Sequence, residues 1–554
     1  MTALPGEGIR PRLTMALDAA ARSLGVTEVP DLELGRARNP AHGDYASSAG
    51  MKLARALRQA PPQIAQRLAE AIEVPDGAAE AIPTGGYVNF RLTAAWLQRL
   101  VGSIAEAGEG YGAADLGHGE RVQVEFLSTN PTGPLHIGHG RGAILGDSLA
   151  RLFEFTGHQT EREYYVNDQN TQARLFGESV YARLHGQEPP ERGYPGDYVT
   201  EIAEMAKREL PGIASLPHDE AEPQLRAYAI EQMVSRIRET VERLRVRYDE
   251  WFHESRLWRE KLPEEAIARL REGGFLKERD GALMFAVDEG DEEEGKEEDF
   301  RVVIRSSGEP TYFASDLGYL LSRFNRRSFE RVVEVWGADH HGYVPRMKAA
   351  AAALGIDPDR LVIILNQLVN LKEGKMSKRA GRFVTLDELI DQVGADAVRY
   401  FYLLRSPDTT IEFDLELALK QSNENPVYYA QYAHARLANV EVAASERHGS
   451  LDGPADVALL THPSELDVAR QLAYWPEVVE DATRLMEPHR IPYYVQELAT
   501  SIHRFYHAGN EDAAQRVVVD DPVLTRARLE LCRAARHTLK TALDLIGVSA
   551  PERM

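Results

Sequence analysis

The chain has 554 residues, and its 86 acidic against 64 basic side chains leave a formal net charge of −22. The length provides for about three or four domains, and the charge argues against an indiscriminate nucleic-acid binder, whose affinity comes from neutralising phosphate; a local basic surface remains open. Cys532 is the one cysteine, which excludes an intrachain disulfide and a cysteine zinc cluster and suits a reducing compartment. The N-terminus shows no basic-then-apolar leader and no run of about 18 apolar residues occurs, so a soluble, cytoplasmic protein without a membrane partner is expected.

In chain order, amphipathic helices are predicted around 13–24, 51–57 and 64–72, then a strand over 87–92, with the glycine-rich 108–112 closing a first α/β domain, 1–112. From about 118 to 400 strand-like and helical runs alternate, as in a nucleotide-binding parallel sheet. Val122, Val124 and Phe126 alternate with Gln123 and Glu125, the period of a strand with one buried face. The breaker-rich segment 130–134 ends it, and the spacing of Leu135, Ile144, Leu145, Leu149 and Leu152 suits a helix. A helical insertion is expected at about 190–275. There Arg236, Arg238, Arg243, Arg245 and Arg247 offer a basic surface, though interleaved Glu239 and Glu242 fit a solvated helix face equally. The acidic run 288–295 reads as a solvated hairpin tip, too irregular for a metal loop. Strands follow at 332–335 and 361–365. Thr385 to Glu388 forms a capping box before an apolar stripe of Leu386, Leu389, Ile390 and Val393. From about 410 to 554 the periodicity is helical, ending on 524–545 with Gly547 and Pro551 as stop signals.

Two motifs carry chemistry. His136-Ile137-Gly138-His139 falls at the predicted helix start, where unbonded backbone N–H groups and the dipole favour phosphate. His136 and His139 share a helical face and can donate to phosphate oxygens, while Gly138 leaves room for a base or ribose. Lys375-Met376-Ser377-Lys378-Arg379 lies in a basic, glycine-flanked stretch that, taken singly, reads as a solvated loop. In combination the two describe a site for displacement at the α-phosphate of ATP, with Lys375 and Lys378 delivered to the leaving pyrophosphate.

Both motifs, in this order, resemble the signatures of class I aminoacyl-tRNA synthetases. The closer resemblance, over essentially the whole chain, is to the arginyl-tRNA synthetases. It is carried also by His42-Gly43-Asp44-Tyr45-Ala46, Gly86-Tyr87-Val88-Asn89-Phe90, Tyr165-Val166-Asn167-Asp168, Tyr312-Phe313-Ala314-Ser315-Asp316-Leu317, Asn425 through Arg436, and the terminal Ala550-Pro551-Glu552-Arg553-Met554. The resemblance implies a Rossmann-type catalytic domain, an N-terminal domain that approaches the tRNA elbow through Tyr87 and Asn89, and an all-α C-terminal domain that reads the anticodon. It implies that arginine reacts with ATP, entering as its Mg2+ complex, to give arginyl-adenylate before transfer to tRNA(Arg), with tRNA bound first. No tightly bound metal is expected, and the protein is expected to be a monomer. Met376 and Ser377 join Gly138 as ATP-binding positions.

Arginine presents a planar, permanently charged fork, so its pocket needs carboxylates. The resemblance places Glu125, Tyr312 and Asp316 on the guanidinium and Asn130 on the amino-acid head group; Tyr312 and Asp316 are one helical turn apart. By themselves Glu125 reads rather as a strand-edge solvent carboxylate and Tyr312 as a core aromatic. His340 stands where many relatives have glutamine. Gly133 stands where many carry a lysine, and this chain keeps Lys378, as if one cation on the leaving phosphates can come from either side. Tyr428, Tyr429 and Tyr432, with His434 and Arg436 nearby, suit stacking on unpaired tRNA bases, and read equally as helix packing. Another class I synthetase, or a silent RNA-binding relative, are the alternative functions.

Overall fold

Arg121–Phe126 is the central strand (β1) of a five-stranded, all-parallel sheet. With Gln159–Val166 (β2), Glu250–His253 (β3), Arg331–Gly337 (β4) and Leu361–Asn366 (β5), the spatial order is β5-β4-β1-β2-β3. The chain leaves β1 to one side for β2 and later returns to its other side for β4. A crevice therefore opens at the carboxyl ends of β1 and β4, where open α/β sheets bind ligands. The computed structural model describes residues 8–286, 300–372, 384–451 and 453–554.

Three helices frame this crevice: Ile137–Phe155 (α1), Tyr312–Leu321 (α2) and Leu386–Tyr402 (α3). α1 lies close on β1 because Gly146 has no Cβ; one there would stand 2.1 Å from the Phe126 ring. The capping box at Thr385 and Glu388 is formed at the start of α3. Helices on both faces bury β1 from Val122 through Phe126, Gln123 and Glu125 included. The polar alternation in β1 therefore does not mark a solvated face, since parallel sheets are covered on both sides.

Between β2 and β4 lie the helices Thr171–Leu184, Asp197–Glu209 and His218–Arg243. The stretch 190–275 that reads as helical also contributes β3, whose four residues are too few for periodicity to show. Likewise a short strand, Ile411–Phe413, pairs with Val369–Leu371 before the C-terminal helices begin. Of the arginines over 236–247, Arg236 pairs with Glu201, Arg243 with Asp387 and Asp391, and Arg245 with Asp396. These partners lie on other elements and not at the interleaved Glu239 and Glu242. The acidic run 288–295 lies outside the described residues.

The sheet belongs to one unit, Gly117–Leu419; Met1–Leu116 and Lys420–Met554 together form the other. In that second unit the N-terminal segment supplies a four-stranded antiparallel sheet, in which Tyr87–Leu92 runs between Tyr45–Ser47 and Ala79–Thr84. The C-terminal segment supplies five long helices from Pro426–His448 to Pro522–Leu545. Trp475, fully buried, donates its indole N–H to the Tyr111 carbonyl at 2.9 Å.

Candidate active site

The residues after β1 adopt backbone that non-glycine residues rarely take: Leu127 has φ 72° and Ser128 φ 28°. Such strain persists where surrounding structure imposes it, commonly at sites. Here Ser128 Oγ accepts the Tyr165 N–H at 3.0 Å, and Leu127 and Ser128 line two adjoining cavities in the crevice.

The smaller cavity, about 410 Å³, is lined by Glu125, Tyr312, Asp316 and His340 together with Arg323, Glu334 and Tyr343. Glu125 is 5% exposed and Tyr312 49% exposed. Neither the solvent carboxylate nor the core aromatic is what the fold builds. Burial, then the neighbouring Glu334, pushes the Glu125 carboxyl up to about 8. Burial raises Asp316 to about 6, opposed by the hydroxyl of Tyr343, which donates to it. This is an acidic, half-dry slot that gains from a cation.

The larger cavity, about 1050 Å³, is lined by Asn130, His136, Gly138, His139 and His340. His136 caps α1: its Nδ1 accepts the Gly138 N–H at 3.1 Å, and the His139 Nδ1 accepts the His136 N–H at 3.3 Å. The two rings stack with centroids 3.4 Å apart. Burial lowers His136, and burial with the His136 charge lowers His139 to about 3, so both imidazoles are neutral at pH 7. With each Nδ1 accepting, the ring proton sits on Nε2, leaving each a neutral donor.

The backbone at this helix start is not the expected phosphate cradle. Ile137 donates to Val384 O, Gly138 to the His136 ring and His139 to His136 O, because a histidine nitrogen fills the capping role that an aspartate or asparagine oxygen has elsewhere. A Cβ at Gly138 would also press on the His136 ring at 3.0 Å.

Met376, Ser377, Lys375 and Lys378 lie outside the described residues. Their C-terminal flank is fixed on the first motif, since Leu386 N–H donates to Leu135 O at 2.8 Å and Thr385 bridges His136. Asn130 faces the larger cavity, and its side chain bonds Gln172 at 2.8 Å and Asn170 at 2.7 Å. Among the described residues no group of three or more potential metal ligands converges.

In the other unit Tyr87 is exposed. Asn89 differs from expectation: two residues on from Tyr87 it lies on the same face of the sheet, yet it is 3% exposed and its amide donates to Thr84 Oγ1 at 2.9 Å. Tyr428, Tyr429 and Tyr432 are half-buried. His503 lies against Tyr429 and Tyr432, and Arg436 stacks on Tyr432 at 4.3 Å. His434 is buried apart from them, on the Pro551 carbonyl at 2.9 Å.

The comparisons with known proteins agree in all three parts. Family models match at 10–92 (arginyl tRNA synthetase N-terminal domain), at 103–188 and 201–437 (class I tRNA synthetase catalytic domain, R) and at 430–554 (DALR anticodon binding domain). The chain belongs to the arginyl-tRNA synthetase family. Among its relatives, an arginine–tRNA ligase from Desulfosudis oleivorans is 43% identical over 99% of both chains, and one from Syntrophotalea carbinolica 42% identical over 95% of both. The solved Thermus thermophilus arginyl-tRNA synthetase superposes with a TM-score of 0.80 at 25% identity, covering 99% of this chain and 100% of that one.

Sequence reasoning missed Glu334, Arg323 and Tyr343. A signal existed for the first: a glutamate within Val332-Val333-Glu334-Val335 is a charge in an otherwise apolar strand.

Proposed function

We propose that this chain carries out the family's reaction, attaching L-arginine to its cognate tRNA through arginyl-adenylate at the expense of ATP. The observation that carries the reading is the adjoining pair of cavities at the β1/β4 crevice, one acidic, the other lined by two neutral histidine donors. The guanidinium seats between Glu125 and Asp316, with Tyr312 alongside, and the α-carboxylate reaches the larger cavity near Asn130 and His340. ATP, as its Mg2+ complex, lies over Gly138 with Met376 and Ser377. His136, His139, Lys375 and Lys378 meet the charge that develops on the phosphates during in-line displacement. Lys378 is within about 20 Å of extended chain from Val384, which is tied to the first motif. No side chain acts as nucleophile; positioning and charge supply the rate.

The tRNA is read at its elbow by the strand of Tyr87, with Asn89 bracing that strand, and at its anticodon loop by Tyr428, Tyr429 and Tyr432. We read the protein as a cytoplasmic monomer; no helix among the described residues is long and apolar enough to cross a membrane. An amino-acid screen of ATP–pyrophosphate exchange, with and without tRNA, tests the reading: exchange with arginine that depends on tRNA is expected, and preference for another amino acid overturns it.

A further inference from the structure

Four glutamates stand in register across neighbouring parallel strands: Glu334 on β4 opposite Glu125 on β1, Glu125 opposite Glu163 on β2, and Glu163 opposite Glu250 on β3. Residues paired in register project to the same face of a sheet, so the sheet carries a row of carboxylates. Glu334, Glu125 and Glu163 are buried. Neighbouring buried carboxylates oppose each other's ionisation unless cations intervene. At three places the cation is built in: Arg323 pairs with Glu334, Arg327 with Glu163, and Arg256 with Glu250 at 3.4 Å. Among the described residues Glu125 has no such ion pair, and it lines the smaller cavity.

Arg323 deserves its burial only through this row. It projects from a π-helical turn, Ser322–Arg326, that continues α2, and it is fully buried with its guanidinium 3.9 Å over the Tyr319 ring. Tyr319 in turn donates to Glu163. The Nε and Nη2 of Arg323 and the Oε2 of Glu334 have no hydrogen-bond partner, and both residues line the cavity beside Glu125. The charge of Arg323 acts on Glu125 as well as on Glu334.

We propose that Arg323 is a positioning residue that sets amino-acid specificity: by holding Glu334 it leaves Glu125 as the open place in the row, so that the cavity takes one further guanidinium, and takes it there. The inference rests on the guanidinium seat proposed above. Removing Arg323 leaves two adjacent buried carboxylates with no cation between them, and Glu125 gives up its proton less readily to an arriving guanidinium. Removing Glu334 frees Arg323 to pair with Glu125 and occupy the seat from within. Removing both restores a single open carboxylate.

The test is aminoacylation kinetics of Arg323→Met, Glu334→Gln, the double variant and Glu125→Gln, with citrulline, the uncharged isostere of arginine, as competitive inhibitor. Each of the first two is expected to raise the KM for arginine about tenfold or more, with the KM for ATP and the citrulline inhibition constant within about twofold. The double variant is expected to return to within about threefold of the parent. A double variant as impaired as Arg323→Met means that Arg323 touches the substrate directly, and overturns the proposal. Equal rises in KM for arginine and ATP with a lowered melting temperature mean a purely structural role, and overturn it too. If Arg323→Met does not fold, Glu334→Gln decides: an unchanged KM for arginine refutes the inference. An unaffected Glu125→Gln removes the seat itself, whereas an impaired Glu125→Gln beside unaffected Arg323→Met and Glu334→Gln removes the inference and leaves the seat standing.

Discussion

One ring of His136 caps α1 through its Nδ1 and, on the function proposed, serves the chemistry through its Nε2. Alanine there would remove both, so asparagine, itself a good cap, separates them: His136→Asn is expected to keep the melting temperature while kcat for aminoacylation falls about a hundredfold, the worth of one charge-stabilising donor. Turnover near that of the parent would remove His136 from the chemistry. Asp316→Asn keeps size and the Tyr343 contact but not the charge, and should cost about 2–4 kcal/mol in kcat/KM for arginine. Citrulline binding should change far less, and equal losses for both ligands would show that Asp316 does not sense charge. Glu125 adds a pH dependence. Its carboxyl, ordinarily near 4.5, is held up at about 8 by burial and Glu334. The folded chain without arginine therefore keeps the proton through neutrality, and the stability this confers, full below about 4.5, is lost as pH rises towards 8. A guanidinium favours the ionised form, so binding expels the proton. The KM for arginine is expected to fall as pH rises from 6 to 8, with proton release seen as a buffer-dependent binding enthalpy; a KM flat over that range would place the ionised form in the free protein.

Elements were legible where period and punctuation speak, and illegible where register decides. The strands over 87–92, 122–126 and 361–365, the capping box at Thr385 and the final helix stand within a residue or two of where their spacing puts them. β3 escaped because four residues carry no period, and the polar positions of β1 misled because both faces are covered. The glutamate row could not be read at all: it exists only once the register is set. The site followed the same division, since both motifs are local strings, while Glu334, Arg323 and Tyr343 reach the cavity from elements far apart in the chain. The tyrosines of Pro426–His448 fall between the two readings offered for them. Tyr432 is half-buried between Arg436, His503 and Tyr428, so part of its ring packs and part is open for a base. Tyr432→Ala is expected to raise the KM for tRNA, one stacked base being worth about 1–3 kcal/mol, while arginine and ATP constants at saturating tRNA hold. An unchanged tRNA KM would assign Tyr432 to packing.

On the scale of the molecule, the two segments that the resemblance assigns to tRNA come from opposite ends of the chain and form one unit. Adjacent residues of the His42–Ala46 stretch join them. Tyr45 donates to Glu477 at 2.8 Å, and Tyr474 donates to Asp44 at 2.9 Å, with Arg470 on the same carboxylate at 2.7 Å. Asp44 also accepts the Leu92 N–H at 2.7 Å, so the strand that carries Tyr87 is tied through one buried carboxylate to the helices of the C-terminal segment. Tyr474→Phe leaves that carboxylate short of a donor, at a cost of about 1–3 kcal/mol. If the segments fold as one unit, the loss must be felt at both ends: hydrogen exchange should quicken in 87–92 and in 463–484 by the same factor, and the KM for tRNA should rise with no change in the KM for arginine. Faster exchange confined to 463–484 would mean that the two segments are separately stable and that the crossed hydrogen bonds merely touch.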